Sequence, residues 1–314
     1  MRALTGGMSN AVFCCEKGAG RRVLLRCYGL NSNAFFDRSA ELLAFKYLAR
    51  NGLGPQLLGE FANGRIEEFL DAQTLTPELM RAPRMSAQIA RQVAAMHALR
   101  PAGLDTAPQL LRTLQRWHAM ARAGAQLPRS SSGDVDVIAQ LDACVAELRA
   151  RLAATPSPTV FCHNDLQYGN VMYTCAEDGG SGGSDGGSGG LYLIDYEYAS
   201  YNPRGFDVGN HFCEWCADYR GAAPHALDAA RFPSDAQRRA FCAAYLGESD
   251  GAAAAPRVDA LMREAQEYAL ASHVLWACWG LAQARGGGGG GAAAAGAAAE
   301  SGGGGGFDYA AYAR

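Results

Sequence analysis

The chain has 314 residues, 49% hydrophobic and 19% charged, a composition of soluble globular proteins and a length that allows two lobes. A net charge of −3, with basic residues scattered and nearly all arginine, excludes an electrostatic case for nucleic acid or an anionic membrane as partner. There is no apolar run of the roughly 18 residues that a membrane-spanning helix needs, Met1–Gly7 lacks the apolar core of a secretory signal, and the ten cysteines are too scattered for a disulfide framework; the expectation is a cytoplasmic protein with reduced thiols.

In chain order, "AVFCCE" and "RRVLLRCYG" have strand composition around a Gly18-Ala19-Gly20 turn. A helix is predicted from about Ser39 to Arg50, stopped by Asn51-Gly52. Two short strands, "QLLGEF" and "RIEEFL", bracket the turn Asn63-Gly64. Residues 1–71 thus read as a small antiparallel sheet with one inserted helix, and 72–314 as a second, mainly helical lobe. In that lobe "SAQIARQVAAMHAL" has Ser86 as its expected N-cap, and further helices are predicted near 109–122, 134–153, 235–246 and 257–284. A strand pair, "TVFCHNDLQYGNVMY" and "LYLIDYEYA", sits among them. Residues 179–190 and 286–306, almost wholly Gly with Ser or Ala, read as flexible inserts without chemistry.

His163-Asn164-Asp165 followed by Asn170 has the spacing of the protein-kinase catalytic loop, His-Arg-Asp-x4-Asn. There an Asp accepts the proton of an attacking hydroxyl, while an Asn amide oxygen suits Mg2+, a hard cation. The next strand ends in "LIDYE", with Asp195 where kinases carry a metal-binding Asp. The bland alternative, a turn built from Asn, Asp and Gly, does not explain why the three side chains recur in this order. "LTGGMSNAVF" places Gly6 and Gly7 between two strand segments, where backbone N–H groups can approach phosphate oxygens. Arg26, at the end of "VLLR", stands where a kinase strand lysine would, and Glu41 in the next helix is expected to orient it; a simple surface pair is the competing reading. Cys213-Glu-Trp-Cys216 has CxxC spacing but no second pair for zinc, so buried helical cysteines are the better reading.

Taken in sequence, "LTGGMSNAVF", "VLLRCYG", "GLGPQLLGEFANGRIEEFL", "FCHNDLQYGNVMY", "LIDYEYASYNPRGFDVGNHFCEW" and "ALASHVLWACWGLAQA" resemble the choline/ethanolamine kinase family over nearly the whole chain apart from the inserts. The resemblance implies an α+β, eukaryotic-protein-kinase-like two-lobe fold and transfer of the ATP γ-phosphoryl group to an amino-alcohol hydroxyl, opening phosphatidylcholine synthesis. It makes Asp165 the catalytic base and gives Asn170 and Asp195 to Mg2+. The nucleotide falls to Gly6, Gly7, Ser9, Asn10, Arg26 and Glu41, with Glu68 to Leu70 as the adenine hinge. Gln167 and Glu197 are expected to organise the loop without a chemical step. The family usually carries a helical segment ahead of the Gly-rich loop and a short helix after the last aromatics, and this sequence has neither.

Aromatic residues concentrate late in the chain, with three of the four tryptophans after residue 214. Trp276 and Trp279 share a helix face, which without the resemblance reads as a core stripe. A quaternary ammonium has no N–H to donate and is recognised by aromatic faces and nearby carboxylates. The resemblance places Tyr198, Tyr219, Trp276, Trp279, Phe307 and Tyr312 around the headgroup, with Glu214 adding negative charge. "NGRIEEFL" lies nearer the choline branch, so choline is the expected acceptor, with ethanolamine as a second substrate; a homodimer is left open. Competing readings are an ethanolamine-preferring kinase, an aminoglycoside-type phosphotransferase, which would carry His-Gly-Asp, a non-catalytic nucleotide-binding scaffold, and a protein kinase, whose Ala-Pro-Glu element is not visible.

Overall fold

Short apolar runs set between glycine-containing turns build the N-terminal sheet. The computed structural model describes residues 1–4, 10–18, 20–29, 35, 37–123, 137–174, 190–248, 255–285 and 307–313. Strands β1 (Arg2–Leu4), β2 (Asn10–Lys17), β3 (Arg21–Tyr28), β4 (Leu57–Phe61) and β5 (Gly64–Glu68) form one antiparallel sheet, in the order β1-β2-β3-β5-β4. Helix α1 (Arg38–Arg50) is inserted before β4 and capped by Asp37, whose Oδ1 accepts the N–H groups of Ser39 and Ala40. Phe61 pairs with Gly64, so the tight turn is Ala62-Asn63, not Asn63-Gly64. Gly64 opens β5 instead, because a Cβ there would lie 2.2 Å from the Arg26 carbonyl oxygen.

Beyond the sheet come α2 (Pro77–Arg81) and α3 (Pro83–Ala98). Ser86 does not cap α3: it is buried inside the helix, and Pro83 starts the helix one turn earlier, its missing N–H being no loss in a first turn. α4 (Leu110–Ala123) and α5 (Val137–Ala154) follow, then the two-stranded pair β7 (Thr159–Cys162) with β10 (Ser200–Pro203). β6 (Gln73–Thr74), β8 (Val171–Tyr173) and β9 (Leu191–Leu193) make a third small sheet. The segment between β7 and β8 is the His163–Asn170 loop; β9 leads straight into Asp195.

The helical core is centred on α6 (Arg204–Glu214) against α8 (Ala255–Arg285). Every residue of α6 from Gly205 to Glu214 is buried, so this helix is enclosed on all sides. The two helices approach closely at Gly209, where a Cβ would lie 2.5 Å from the Ala265 carbonyl oxygen. α7 (Asp235–Leu246), with a Ser234/Gln237 capping box, and the short α9 (Tyr309–Tyr312) complete the described elements. α2, α6, α9, β6 and β10 are additions to the predicted elements, and the predicted strand "TVFCHNDLQYGNVMY" is split by its loop into β7, which pairs with β10, and β8, which pairs with β9. The other helices and the sheet strands β2 to β5 stand within a few residues of where the sequence pattern puts them.

Candidate active site

Two residues beside the cleft adopt a conformation that side chains rarely take. Asn164 (φ 68°) and Asp195 (φ 67°) are the non-glycine residues with positive φ among those described. Asn164 is held there by its surroundings. The Asn164 N–H donates to Asp207 Oδ1 at 2.7 Å, and its Nδ2 donates to the Tyr198 carbonyl at 2.8 Å and Ser200 Oγ at 2.9 Å. Its Oδ1 accepts from Asn202 Nδ2 at 2.8 Å, and Asn202 in turn caps α4 by accepting from the N–H groups of Gln109 and Leu110. The left-handed turn at Asn164 sets the direction in which Asp165 leaves the loop.

Beneath the loop lies Asp207 of α6, fully buried, which also accepts from the His163 N–H at 2.8 Å and lies 2.9 Å from His97 Nε2. Burial disfavours its charge, but the hydrogen bonds and the two histidines outweigh this and hold the carboxyl below its usual range. His97 Nδ1 meets the Tyr245 hydroxyl at 2.8 Å. His97, Cys162 and Asp207 come close enough to suggest a metal cluster, but both ring nitrogens of His97 already have partners, and the group is a hydrogen-bond network. His163 Nε2 donates to the Ile194 carbonyl, tying the loop to the segment that carries Asp195. Asp207 and His97 were missed from sequence; the available signal was a carboxylate inside the otherwise apolar "GFDVGNHF".

Asp165, Asp195 and Glu214 line one small cavity of about 30 Å3 with Gln167, Glu197, Tyr198, Tyr219, Trp276, Trp279 and Tyr312. Asn170 Nδ2 donates to the Asp165 carbonyl and to Asp165 Oδ2, at 2.8 and 3.0 Å, so the carboxylate and the amide are joined. Burial, then the charges of Glu214 and Asp195, push the Asp165 carboxyl well above its usual range, against the Asn170 hydrogen bond. Burial also raises Asp195, with Arg26 opposing. Glu214 rises to about 7, chiefly by burial, although the Tyr219 hydroxyl donates to its Oε2 at 2.8 Å.

The aromatic wall is cross-braced. Trp276 stands edge-on to Tyr198 (5.4 Å between centroids) and to Trp279 (5.6 Å), and Trp279 meets Tyr312 at 6.4 Å. Trp276 Nε1 donates to Asn210 Oδ1 at 2.8 Å, locking its ring to α6. Phe307 does not line the cavity; it packs behind Tyr312 at 5.4 Å, supporting the wall. Tyr309, one of the late aromatics but not assigned to the site from sequence, meets Trp279 at 5.5 Å.

Facing this cleft, the sheet carries a chain of paired charges. Glu41 does not orient Arg26. Its carboxylate accepts from Arg38 Nη1 and Arg65 Nη1, each at 2.8 Å. Glu67 holds Arg26 through Nε at 2.6 Å, and also takes Arg65 Nε at 2.8 Å. Burial opposes the charge of Arg26, but Glu67 more than offsets it and keeps the guanidinium above its ordinary value; Asp195 is near enough to act in the same sense. Asn10 Oδ1 accepts from Arg38 Nη2 at 2.8 Å, joining β2 to this network. Arg65 and Glu67 lie inside "RIEEF", where strand alternation did not show that both turn inward. At Glu68 the N–H donates to the Gln56 carbonyl at 2.8 Å, and Leu70 lies half-buried in the connection to β6. Gly6, Gly7 and Ser9 lie outside the described residues, as do nearly all of both Gly-rich inserts.

Cys213 and Cys216 are buried free thiols; burial pushes Cys213 far up and Cys216 to about 11, which leaves them as unreactive packing groups. Among the described residues no helix is long and apolar enough to cross a membrane.

The choline/ethanolamine kinase family model matches residues 1–314. The chain is similar to "Probable choline kinase 2" of Arabidopsis thaliana, 37% identical over 283 residues that cover 88% of this chain and 77% of the relative. It is 33% identical over 280 residues to "Ethanolamine kinase 2" of Mus musculus, covering 88% and 68%. Among solved structures, a choline kinase from Cryptosporidium parvum Iowa II superposes with a TM-score of 0.76 at 22% identity, covering 99% of this chain and 85% of that one. The fold is the protein-kinase-like α+β architecture, an N-terminal antiparallel sheet joined to a mainly helical remainder.

Proposed function

The chain belongs to the choline/ethanolamine kinase family, and from that premise we propose that it transfers the γ-phosphoryl group of ATP to the hydroxyl of choline, with ethanolamine as a secondary acceptor. The observation that carries the choice of acceptor is the small cavity that puts Asp165 and Glu214 inside an aromatic wall. A trimethylammonium group cannot donate hydrogen bonds and gains from ring faces and carboxylates in a desolvated site. The same cation draws the raised acids Glu214 and Asp165 toward their ionised forms.

In the proposed reaction the acceptor oxygen bonds to the γ-phosphorus, the bond to the β–γ bridging oxygen breaks, and ADP leaves. Asp165 accepts the hydroxyl proton; Asn170, bonded to its carbonyl and carboxylate, fixes its position. Arg26, held by Glu67 and facing Asp195, is assigned to phosphate oxygens, with Asn10 and Glu41 bracing the network behind it. The Gly6-Gly7-Ser9 loop is assigned to the phosphates. At the hinge, with the Glu68 N–H already engaged, base contact falls to the Glu68 carbonyl and the Leu70 N–H. This divides the labour between a nucleotide lobe, residues 1–71, and an acceptor lobe, residues 72–314.

The amide oxygen of the buried Asn170 and the Asp195 carboxylate, raised by desolvation against the pull of Arg26, are a hard-oxygen donor set that fits Mg2+. When bound, Mg2+ neutralises charge on the transferring phosphates. The decisive assay is ADP release with Mg2+ and ATP while choline and ethanolamine are supplied in turn. Faster specific turnover with choline is expected; faster turnover with ethanolamine overturns the choice of acceptor, and turnover with neither overturns the catalytic assignment.

A further inference from the structure

Behind the catalytic loop lies a second, much larger cavity of about 430 Å3. It opens between α1, α4 and the segment from Glu197 to Asn202, and it shares Glu197, Tyr198 and Trp276 with the acceptor cleft as a common wall. Its volume is in the range of drug-sized ligand sites, whereas the cleft has about 30 Å3. The phosphoryl-transfer reading makes no use of it.

Three features describe what would fit. The floor is apolar: Leu110, Phe206 and Leu275 are all buried. In the wall, Trp117 is 1% exposed, and its Nε1 is a buried donor without an acceptor. A buried N–H of this kind is costly unless a partner arrives. Finally, the described lining carries three carboxylates, Asp37, Asp105 and Glu197, against one guanidinium, Arg116, which already donates to the Phe35 carbonyl. Asp105 is paired with Arg112 at 3.0 Å and Asp37 caps α1, so the lining stays net negative through Asp37 and Glu197. The cavity therefore favours a cation, yet its unpartnered donor requires an oxygen acceptor.

We propose that this cavity is a second ligand site, suited to an amphiphilic organic ammonium ion. Its apolar body lies on Leu110, Phe206 and Leu275, an ester or ether oxygen accepts from Trp117 Nε1, and the cationic head lies toward Asp37 and Glu197. Occupancy would brace Tyr198 and Trp276 from behind, through the Trp117 ring, whose centroid is 5.8 Å from each. The proposal is independent of which amino alcohol the cleft phosphorylates.

Benzoylcholine is a suitable probe: it has the ring, the ester carbonyl and the quaternary head, but no hydroxyl to phosphorylate. Calorimetric titration into protein saturated with choline is expected to show one further equivalent bound. Thr113, half-buried in the cavity lining, gives the blocking variant Thr113→Trp, which should weaken that binding about ten-fold or more while leaving choline binding in place. Trp117→Phe keeps a ring but removes the N–H, and should weaken it by about five-fold. Full displacement of benzoylcholine by choline, no binding at all, or equal affinity in folded Thr113→Trp would each overturn the proposal. If Thr113→Trp does not fold, unchanged affinity in Trp117→Phe overturns it alone. Binding that is sensitive to Thr113→Trp in a protein that fails to bind choline would leave the second site standing and sink the acceptor assignment instead.

Discussion

Two clusters of buried charge face each other across the cleft, and they are built on opposite rules. In the sheet, Glu41 and Glu67 are each held by two guanidinium groups from the chain itself. Burial alone would raise Glu67, yet Arg26 and Arg65 pull it below its usual range. In the helical part, Asp165, Asp195 and Glu214 share a cavity with no lysine or arginine in its described lining, and all three are raised. Where the protein supplies the counter-charge, the cluster is scaffold. Where burial outweighs the little counter-charge within reach, as with Arg26 on Asp195, the cluster fits the proposed role of receiving cations from solution.

Mutation should separate the two most sharply at Asp165. Asp165→Asn is expected to lower kcat by about 10³-fold, the scale of a general base, while the melting temperature stays within a few degrees because a neutral amide replaces a carboxyl that burial already disfavours as an anion. Near-normal turnover would break the comparison on the catalytic side. Glu67→Gln should do the reverse in kind, leaving two buried guanidiniums undercompensated and costing about 3–5 kcal/mol of stability, measured by urea unfolding. A loss within 1 kcal/mol of zero would mean that the network is not the scaffold described.

Acidity sharpens the contrast further. The folded-state value of Glu67 is depressed, so its contribution to stability is present above the ordinary carboxylate value and is lost as pH falls through the folded value. Glu214 has the opposite sign: raised from 4.5 to about 7, it favours the fold below 4.5, and that contribution is lost as pH rises through about 7. Without ligand, wild type should therefore lose stability relative to Glu214→Gln over that window. The choline KM should fall as pH rises through about 7 in wild type and change less with pH in the variant, ending about ten-fold higher there. Parallel profiles for the two proteins would rule out Glu214 as the titrating group. Trp279→Leu should raise the choline KM several-fold with the ATP KM unchanged, since a desolvated cation–π contact is worth roughly 0.5–2 kcal/mol. The smallest effect belongs to Cys213→Ser, for which turnover should match wild type; thiol-dependent activity would revive the CxxC reading.

What the sequence showed and concealed follows the same division. Asp165, Asn170 and Asp195 were legible because the roles proposed for them need a fixed local interval in the loops that flank the hairpin strands β8 and β9. The aromatic wall was visible only through resemblance, since Trp276 and Trp279 at helical spacing read equally well as core; both are indeed buried. The salt-bridge partners were not legible, because Glu67 meets Arg26 from 41 positions away and local spacing pointed to Glu41. Asp207 was hidden for a similar reason: its partners at His97, His163 and Asn164 come from elements far apart in the chain. The start of α3 was misplaced because Ser86 offers a side-chain cap, whereas Pro83 starts the helix through backbone geometry.

The contact at Gly209 has a consequence for molecular discrimination. Glu214 belongs to α6 and the two tryptophans to α8, so a glycine that clamps these helices together turns opposite sides of the cleft into a single fixed jaw. A jaw without a hinge works as a gauge. It should sort amines by the girth of the nitrogen substituents, admitting methyl groups and turning away progressively larger alkyl homologues by size alone, however favourable their charge.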